Sequence, residues 1–307
     1  MKIKLEHDGE FIPPAVLHKS IEIISSCLQN IVTCDHGFII NDTIHFRRQR
    51  NNKVTPCVMN SANYISKRFQ SNLGKIEGCR GETKIIEQDI DGIITCQYSG
   101  TGYKIRDKNK LLEVLHNYIK SRNLPLDSVY TLFPMFYGMY VQSDIYDIAH
   151  LPSTDQKLFD EVRVDKTFKL GVEFETGNVA SSFRAINKLF ILFQAGHIDA
   201  GIFVTSTDKT SSATRIWPVS NRNGSFQELR QRNFMKQISL PLICIGFAPD
   251  GFDRNGPFLG RTGSLYHLQN TGKQSPPFDI YVGEDGEEIL RPTGVTPPAV
   301  FFDNTLI

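Results

Sequence analysis

Apolar side chains recur at the three- to four-residue spacing of an α-helix in four segments of the chain. The first segment follows Pro13 and Pro14, and proline favours the first turn of a helix. The last segment follows Asn178, a residue type that caps helices, and it ends before Gly196, which suits a helix end. The sequence therefore predicts helices over about residues 14–31, 57–70, 108–120 and 178–195.

Strand-like patterns alternate with these helices. The run at 198–204 is short and apolar, which is typical of a buried strand, and residues 171–175 are predicted to form a strand that leads into the last helix. Residues 85–106 predict a β-hairpin, because two strand-like runs flank the turn sequence Ser-Gly-Thr-Gly. The order strand, helix, strand indicates an α/β core.

Two carboxylates stand close together on the predicted strand before Asn178. Glu173 and Glu175 are two residues apart, so both side chains take one face of the strand while Val172 and Phe174 take the other. An isolated Glu-x-Glu pair is usually exposed to water. Here a helix N-terminus follows, and Mg²⁺ prefers oxygen ligands of this kind. We therefore predict a site that holds a metal ion next to a phosphate group.

The catalytic core of the BamHI-like type II restriction endonucleases, which are PD-(D/E)xK nucleases, resembles residues 171–204, GVEFETGNVASSFRAINKLFILFQAGHIDAGIFV. The resemblance is specific, because the motif EFETGN is followed by five further matching residues: Arg184, Asn187-Lys188 and Ile198-Asp199. It continues through FQEL at 226–229 and LPLICIGFAPDGF at 240–252, and it is weaker over residues 1–72.

This resemblance implies an α/β fold of the PD-(D/E)xK restriction-endonuclease type, with a central mixed β-sheet flanked by helices. It implies a type II site-specific deoxyribonuclease that cuts double-stranded DNA at a short palindromic site related to GGATCC, with one or two Mg²⁺ ions in each active site. The implied partners are a second copy of the chain, in a homodimer, and a cognate DNA methyltransferase in the same cell. Another metal nuclease of this fold and a catalytically inactive DNA-binding protein are the alternative interpretations.

Roles for the residues of the motif also follow from the resemblance. In the family an Asp on one strand and a Glu on its neighbour bind the metal, so Glu173 is the implied metal ligand. The backbone carbonyl of Phe174 is a further implied ligand. Glu175 stands where most members of the wider family have Lys, and it is the implied general base.

The Asp that completes the metal site should lie on a strand upstream of Glu173. Asp144, in QSDIYDI, matches the family's local pattern best, although it lies far from Glu173 along the chain. Asp160 is at the distance expected for a hairpin with a turn near residues 166–167. The alternatives, in order of preference, are Asp144, Asp160 and then Asp155 or Asp91.

Residues that read DNA bases are implied by the same resemblance, and they are Asn178, Ser181, Arg184, Asn221 and Arg222. Arginine suits the O6 and N7 atoms of guanine, and asparagine suits a base edge with both a donor and an acceptor. The chain departs from the family at Ala180, where a serine contacts a base, and at Asn221, where the family member has Asp. We therefore expect a related palindrome rather than the identical one.

Composition agrees with this interpretation without adding to it. The chain has 307 residues, of which 40% are hydrophobic, as in an ordinary globular protein, and its net charge of +1 gives no sign of a generally basic surface. The six cysteines form no Cys-x-x-Cys pair, and the N-terminus has no signal-peptide pattern, so we expect a cytoplasmic protein with free thiols and no membrane association.

The domain organisation predicted from the sequence is a single catalytic domain over residues 1–270 with an insertion at about 75–140. A tail rich in Pro and Gly follows over 271–307, and we expect it to be extended and ordered by contacts with the rest of the protein or with a partner.

Overall fold

The computed structural model describes residues 1–35, 37–57, 59–142, 147–208, 216–217, 225–234 and 237–294. Its α-helices are α1 (Pro14–Gln29), α2 (Ala62–Leu73), α3 (Leu111–Ser121), α4 (Ser128–Tyr137), α5 (Ser153–Gln156), α6 (Val179–Gln194) and α7 (Ser225–Gln231). Its strands are β1 (Lys2–Asp8), β2 (Ile39–Ile40), β3 (His45–Arg48), β4 (Val54–Cys57), β5 (Cys79–Arg80), β6 (Thr83–Ile85), β7 (Gln88–Ile90), β8 (Gly92–Ile105), β9 (Phe159–Glu175), β10 (Ala200–Ser206), β11 (Leu242–Ala248), β12 (Gly251–Phe252), β13 (Phe258–Leu259), β14 (Leu265–Tyr266), β15 (Leu268–Ser275), β16 (Phe278–Gly283) and β17 (Glu288–Pro292).

A six-stranded mixed sheet forms the centre of the fold, in the order β1-β11-β10-β9-β8-β5. β9, β10 and β11 run parallel, whereas β1, β8 and β5 pair antiparallel to their neighbours. Every residue of β10 and β11 is buried, because helices cover both faces of the sheet. The predicted α/β class with a central mixed sheet flanked by helices is confirmed.

The two faces of β9 meet different helices, as the alternation of its side chains requires. Val172 and Phe174 belong to the larger core, which also contains buried residues of α1 to α4. Buried residues of α6 and α7 pack on the other face in a second cluster around Phe203, which is the register partner of Glu173 on β10. Glu173 therefore lies on the side of the sheet that α6 covers.

Three stacked aromatic rings support the end of β9 from behind. The ring of Phe174 is stacked on that of Phe69 from α2, at 4.5 Å between centroids, and on that of Phe247 from β11, at 5.1 Å. Phe69 and Phe247 are fully buried. The stack therefore fixes the backbone that carries the two glutamates.

The predicted position of the hairpin within residues 85–106 is wrong. Ser99 to Gly102, the expected turn, lie inside the single strand β8, which pairs with β9 along its whole length, with Gly100 opposite Val164. The hairpin of this region is instead formed by β6 and β7. Pairing with a distant strand satisfies the backbone of the Gly-rich stretch and overrides its local preference for a turn.

The predicted insertion and tail both contain regular structure. β5 and β8, within the expected insertion at 75–140, are strands of the central sheet, and a helical excursion over 106–158 joins β8 to β9. β15 crosses the expected boundary at residue 271 and joins β16, β17, β3 and β4 in a five-stranded antiparallel sheet. Within the described residues, no helix is both long and apolar enough to cross a bilayer.

Truncation of the aromatic stack should destabilise the protein. Phe69→Ala removes a fully buried ring, so we expect a loss of about 3–5 kcal/mol in the free energy of unfolding, measured by guanidinium denaturation. Leu126→Ala is the matched control, because Leu126 is 78% exposed and its truncation should change the free energy by less than about 0.5 kcal/mol. Equal losses in the two variants would contradict the proposed role of the stack.

Candidate active site

The register of β8 and β9 brings a third carboxylate to the two glutamates. Gly92 is opposite Val172, so Asp91 lies at the start of β8 beside the end of β9. The backbone N–H of Phe174 donates to Asp91 Oδ2 at 2.8 Å, and Gln70 Nε2 of α2 donates to Asp91 Oδ1 at 2.7 Å. Both oxygens are thereby oriented, and each keeps a lone pair for a further partner.

Glu173 is a buried carboxylate, only 3% exposed. Lys188 Nζ of α6 lies 2.6 Å from Glu173 Oε1 and also donates to the carbonyl oxygen of Asp89 at 2.8 Å. Burial raises the pKa of Glu173 to about 8, and the charges of Asp91 and Glu175 add to this rise, whereas Lys188 opposes it. The ammonium group of Lys188 thus serves as a counter-charge to a crowded acidic site.

Glu175 points toward the N-terminus of α6. Its Oε1 accepts a hydrogen bond of 2.5 Å from the backbone N–H of Gly177, and its carbonyl oxygen accepts one of 2.7 Å from Thr205 Oγ1. A Cβ on Gly177 would lie 2.8 Å from Glu175 Oε1 and 2.7 Å from Ser181 Oγ. A side chain at 177 would therefore displace the Glu175 carboxylate or the Ser181 hydroxyl from its present position.

The alternative assignment to Asp160 is not supported by the structure. The prediction of a turn near residues 166–167 is wrong, because both residues lie inside the continuous strand β9. Asp160 and Glu173 therefore stand near opposite ends of one strand, roughly 40 Å apart at about 3.3 Å per residue. Asp160 is exposed and pairs with Arg106 Nε at 2.8 Å.

The other candidates for the upstream Asp differ in how the structure places them. Asp144, the first choice from sequence, lies outside the described residues. Asp155 belongs to α5, before the start of β9, and accepts a hydrogen bond of 2.9 Å from Asn117 Nδ2. Only Asp91, among the three described candidates, is brought to Glu173.

The predicted recognition helix begins as the sequence indicates. Asn178 is the N-cap of α6, and its Oδ1 accepts a hydrogen bond of 3.2 Å from the backbone N–H of Ser181. Asn178 and Arg184 are exposed, and Ser181 is partly exposed. Asn221 and Arg222 lie outside the described residues. Their roles and those of the described residues in reading bases stay predictions.

The donor set of the site suits a hard cation. Glu173 Oε1 is buried and has no aligned hydrogen bond within the described residues, although Lys188 lies close to it. A divalent ion would satisfy that oxygen and the negative charge around it. In the described part of the chain, no three His, Cys, Asp or Glu side chains converge in ligating positions. The fit therefore rests on Asp91, Glu173 and a backbone carbonyl.

Comparison with known proteins gives one family and one relative. A family model described as restriction endonuclease BamHI matches residues 1–287 of this chain. The Type II restriction enzyme BamHI of Bacillus amyloliquefaciens is 29% identical over 137 residues, which cover 42% of this chain. The matched part of the chain spans 60% of that relative's length.

The raised pKa of Glu173 predicts that, in the absence of metal, the folded protein becomes less stable as the pH rises. Since burial raises the pKa from 4.5 to about 8, the folded state favours the protonated acid, and stability is lost as the pH rises through this interval. Glu173→Gln should remove the loss, so the variant's melting temperature should rise relative to the unmodified protein between pH 5 and pH 9 in a chelator-containing buffer. Glu161→Gln, at an exposed position on β9, is the control. Parallel curves for Glu173→Gln and the unmodified protein would contradict the assignment.

Proposed function

This chain belongs to the BamHI family of restriction endonucleases, and on that basis we propose that it is a type II site-specific deoxyribonuclease acting on double-stranded DNA. The observation that carries the proposal is that Asp91 and Glu173 lie next to Glu175, whose carboxylate accepts a hydrogen bond from Gly177 just before α6. Acidic groups for a metal and a helix N-terminus for an anion are combined at one end of β9. A phosphodiester is the substrate that uses both.

The residues that would hold Mg²⁺ are Asp91 and Glu173, with the carbonyl oxygen of Phe174 as a further ligand. Asp91 is oriented for this role by Gln70 and by the Phe174 N–H. When bound, Mg²⁺ polarises the scissile phosphate and lowers the pKa of a coordinated water. Lys188, 2.6 Å from Glu173 Oε1, supplies part of the positive charge that this buried carboxylate needs.

Glu175 is the group proposed to accept the proton from the attacking water. Its carboxylate is partly exposed and is held by the Gly177 N–H, whereas Glu173 is only 3% exposed, so Glu175 is the more accessible of the two to a water. General-base catalysis of this kind contributes about 10²–10⁴-fold to the rate.

Sequence recognition is proposed to come from the first two turns of α6. Asn178 keeps its amide NH₂ as a donor while its oxygen caps the helix, and the exposed Arg184 can donate two hydrogen bonds to guanine. Ala180 and Asn221 differ from the family pattern, so the proposed target is a palindrome related to GGATCC rather than GGATCC itself.

Two copies of the chain are proposed to act together. A two-fold symmetric dimer matches a palindromic site and lets each subunit cut one strand. A methyltransferase with the same recognition sequence is the expected functional partner, because the host DNA must be protected from cleavage.

Cleavage of plasmid DNA in Mg²⁺ tests the metal site. Asp91→Asn should reduce the rate at least about a hundredfold, because a ligand of the catalytic metal is lost, while cognate DNA binding in Ca²⁺ survives. Asp160→Asn is the matched control and should cleave normally, since Asp160 pairs with Arg106 far from the site. Normal cleavage by Asp91→Asn together with slow cleavage by Asp160→Asn would contradict the assignment of Asp91.

The fragment pattern tests the class of nuclease. Discrete fragments from the unmodified protein are expected, and the lack of them would favour a repair or structure-specific nuclease.

Base recognition by α6 predicts a selective loss of affinity. Arg184→Ala should weaken binding to the cognate duplex by about 1–3 kcal/mol, the usual cost of losing a bidentate base contact. Binding to a scrambled duplex should hardly change, because phosphate contacts supply it. Arg163→Ala, at an exposed position on β9, is the control and should alter neither affinity. If Arg184→Ala lowers both affinities equally, Arg184 contacts the DNA backbone instead.

A further inference from the structure

The side of α6 that faces away from solvent is tied to α7 by a buried hydrogen bond. The hydroxyls of Ser182 and Ser225 lie 2.7 Å apart, and both residues are 1% exposed. Ser182 lies between Ser181 and Arg184 in the turn of α6 proposed to read DNA, and Ser225 is the first residue of α7. Rotation or sliding of that turn would break this bond.

α7 is itself fixed to the central sheet. Asp208, two residues beyond β10, accepts hydrogen bonds from the backbone N–H groups of Phe226 (3.1 Å) and Gln227 (3.0 Å). Arg230 Nη2 of α7 lies 3.0 Å from Asp208 Oδ2, and Arg230 Nη1 lies 2.7 Å from Glu6 Oε2 of β1. Helix N-terminal N–H groups and an arginine thus converge on one carboxylate.

The hydrophobic side of α7 packs on the strand that lies next to Glu173. Phe226 is buried and meets Phe203 edge-on at 6.1 Å between ring centroids. Phe203 is the register partner of Glu173 on the neighbouring strand. The same short helix therefore contacts the strand beside Glu173 and the turn of α6 proposed to read DNA.

We propose that Ser225 and Asp208 are positioning residues for DNA recognition. Both hold α7 in place, and α7 in turn fixes the height and rotation of the first turns of α6 over the sheet. We call α7 with these two contacts the brace. Discrimination between bases requires donors placed to within a fraction of an ångström, whereas binding to phosphates tolerates small shifts. Loss of the brace should therefore lower the preference for the cognate site more than it lowers DNA binding in general. This inference rests on the proposed function.

The test separates positioning from simple stabilisation. Ser182→Ala and Ser225→Ala each break the bond between the two hydroxyls, which lowers stability, whereas the double variant removes both hydroxyls and should recover part of that loss. Discrimination should not recover. We expect the ratio of cognate to scrambled duplex affinity, measured in Ca²⁺ on the mapped cleavage site, to fall about tenfold in both single variants and in the double variant.

A further variant, at Asp208, tests the proposal independently if the serine variants fail to fold. Asp208→Asn keeps the shape of the side chain but weakens its bonds to Arg230 and to the helix N-terminus, and it should lower the ratio in the same direction. Asp107→Asn is its matched control, because Asp107 also accepts a backbone hydrogen bond at a helix start, from Asn109, on the distant excursion. Its ratio should equal that of the unmodified protein.

Four outcomes are possible, and each supports or overturns the proposal. Reduced discrimination that persists in the stable double variant supports the brace. Discrimination that recovers together with stability would show that the serine bond is structural only, and discrimination unchanged in all variants would also overturn the proposal. An unmodified protein without preference for any duplex would overturn the proposed function as well, so the two failures are distinguishable.

Discussion

The structure depends on one electrostatic constraint, the placement of a buried glutamate between two other carboxylates. Burying the charged carboxylate of Glu173 away from water costs free energy unless a positive charge or a proton accompanies it. Lys188 supplies part of this charge at 2.6 Å, yet the pKa of Glu173 stays raised to about 8. The site is therefore short of positive charge, which is the condition that favours capture of a divalent cation.

The rest of the fold holds this unfavourable group in place. β8 pairs with β9 over the full length of β8, and this register sets Asp91 beside Phe174. The stacked rings behind Phe174 resist the movement by which the carboxylates could separate. On the other face, α6 contributes both Lys188 and the exposed residues proposed to contact DNA. The proposed metal site and the proposed base-reading residues are thus linked through a single helix.

The sequence predicted those parts of the site that depend on local patterns. The strand before Asn178, the Asn178 cap, the helix α6 and its glycine end at Gly196 follow from spacing and capping preferences, and each is found in the structure. From the sequence, Asp91 shares the last place among the alternatives with Asp155, and its partner strand β9 is separated from it by β8 and by the excursion over 106–158. No local pattern reports a register formed across such a distance.

The same limit explains the misplaced hairpin and why the sequence does not identify which strands the tail pairs with. Ser-Gly-Thr-Gly is a turn signal on its own, but β9 offers it a continuous partner. The Pro- and Gly-rich segment after residue 271 forms strands because β3 supplies an edge for β17, with Leu290 opposite Phe46. Tertiary pairing decided both cases, and its partners lie far away in the sequence.

The most direct test of the central claim is whether Asp91 and Glu173 together hold a divalent cation. Mn²⁺ binding to the protein–DNA complex, followed by electron paramagnetic resonance, measures this without reference to cleavage. The account predicts that bound Mn²⁺ is retained in Asp160→Asn and lost in both Asp91→Asn and Glu173→Gln. Normal Mn²⁺ binding by Asp91→Asn, or its loss in Asp160→Asn, would contradict the account.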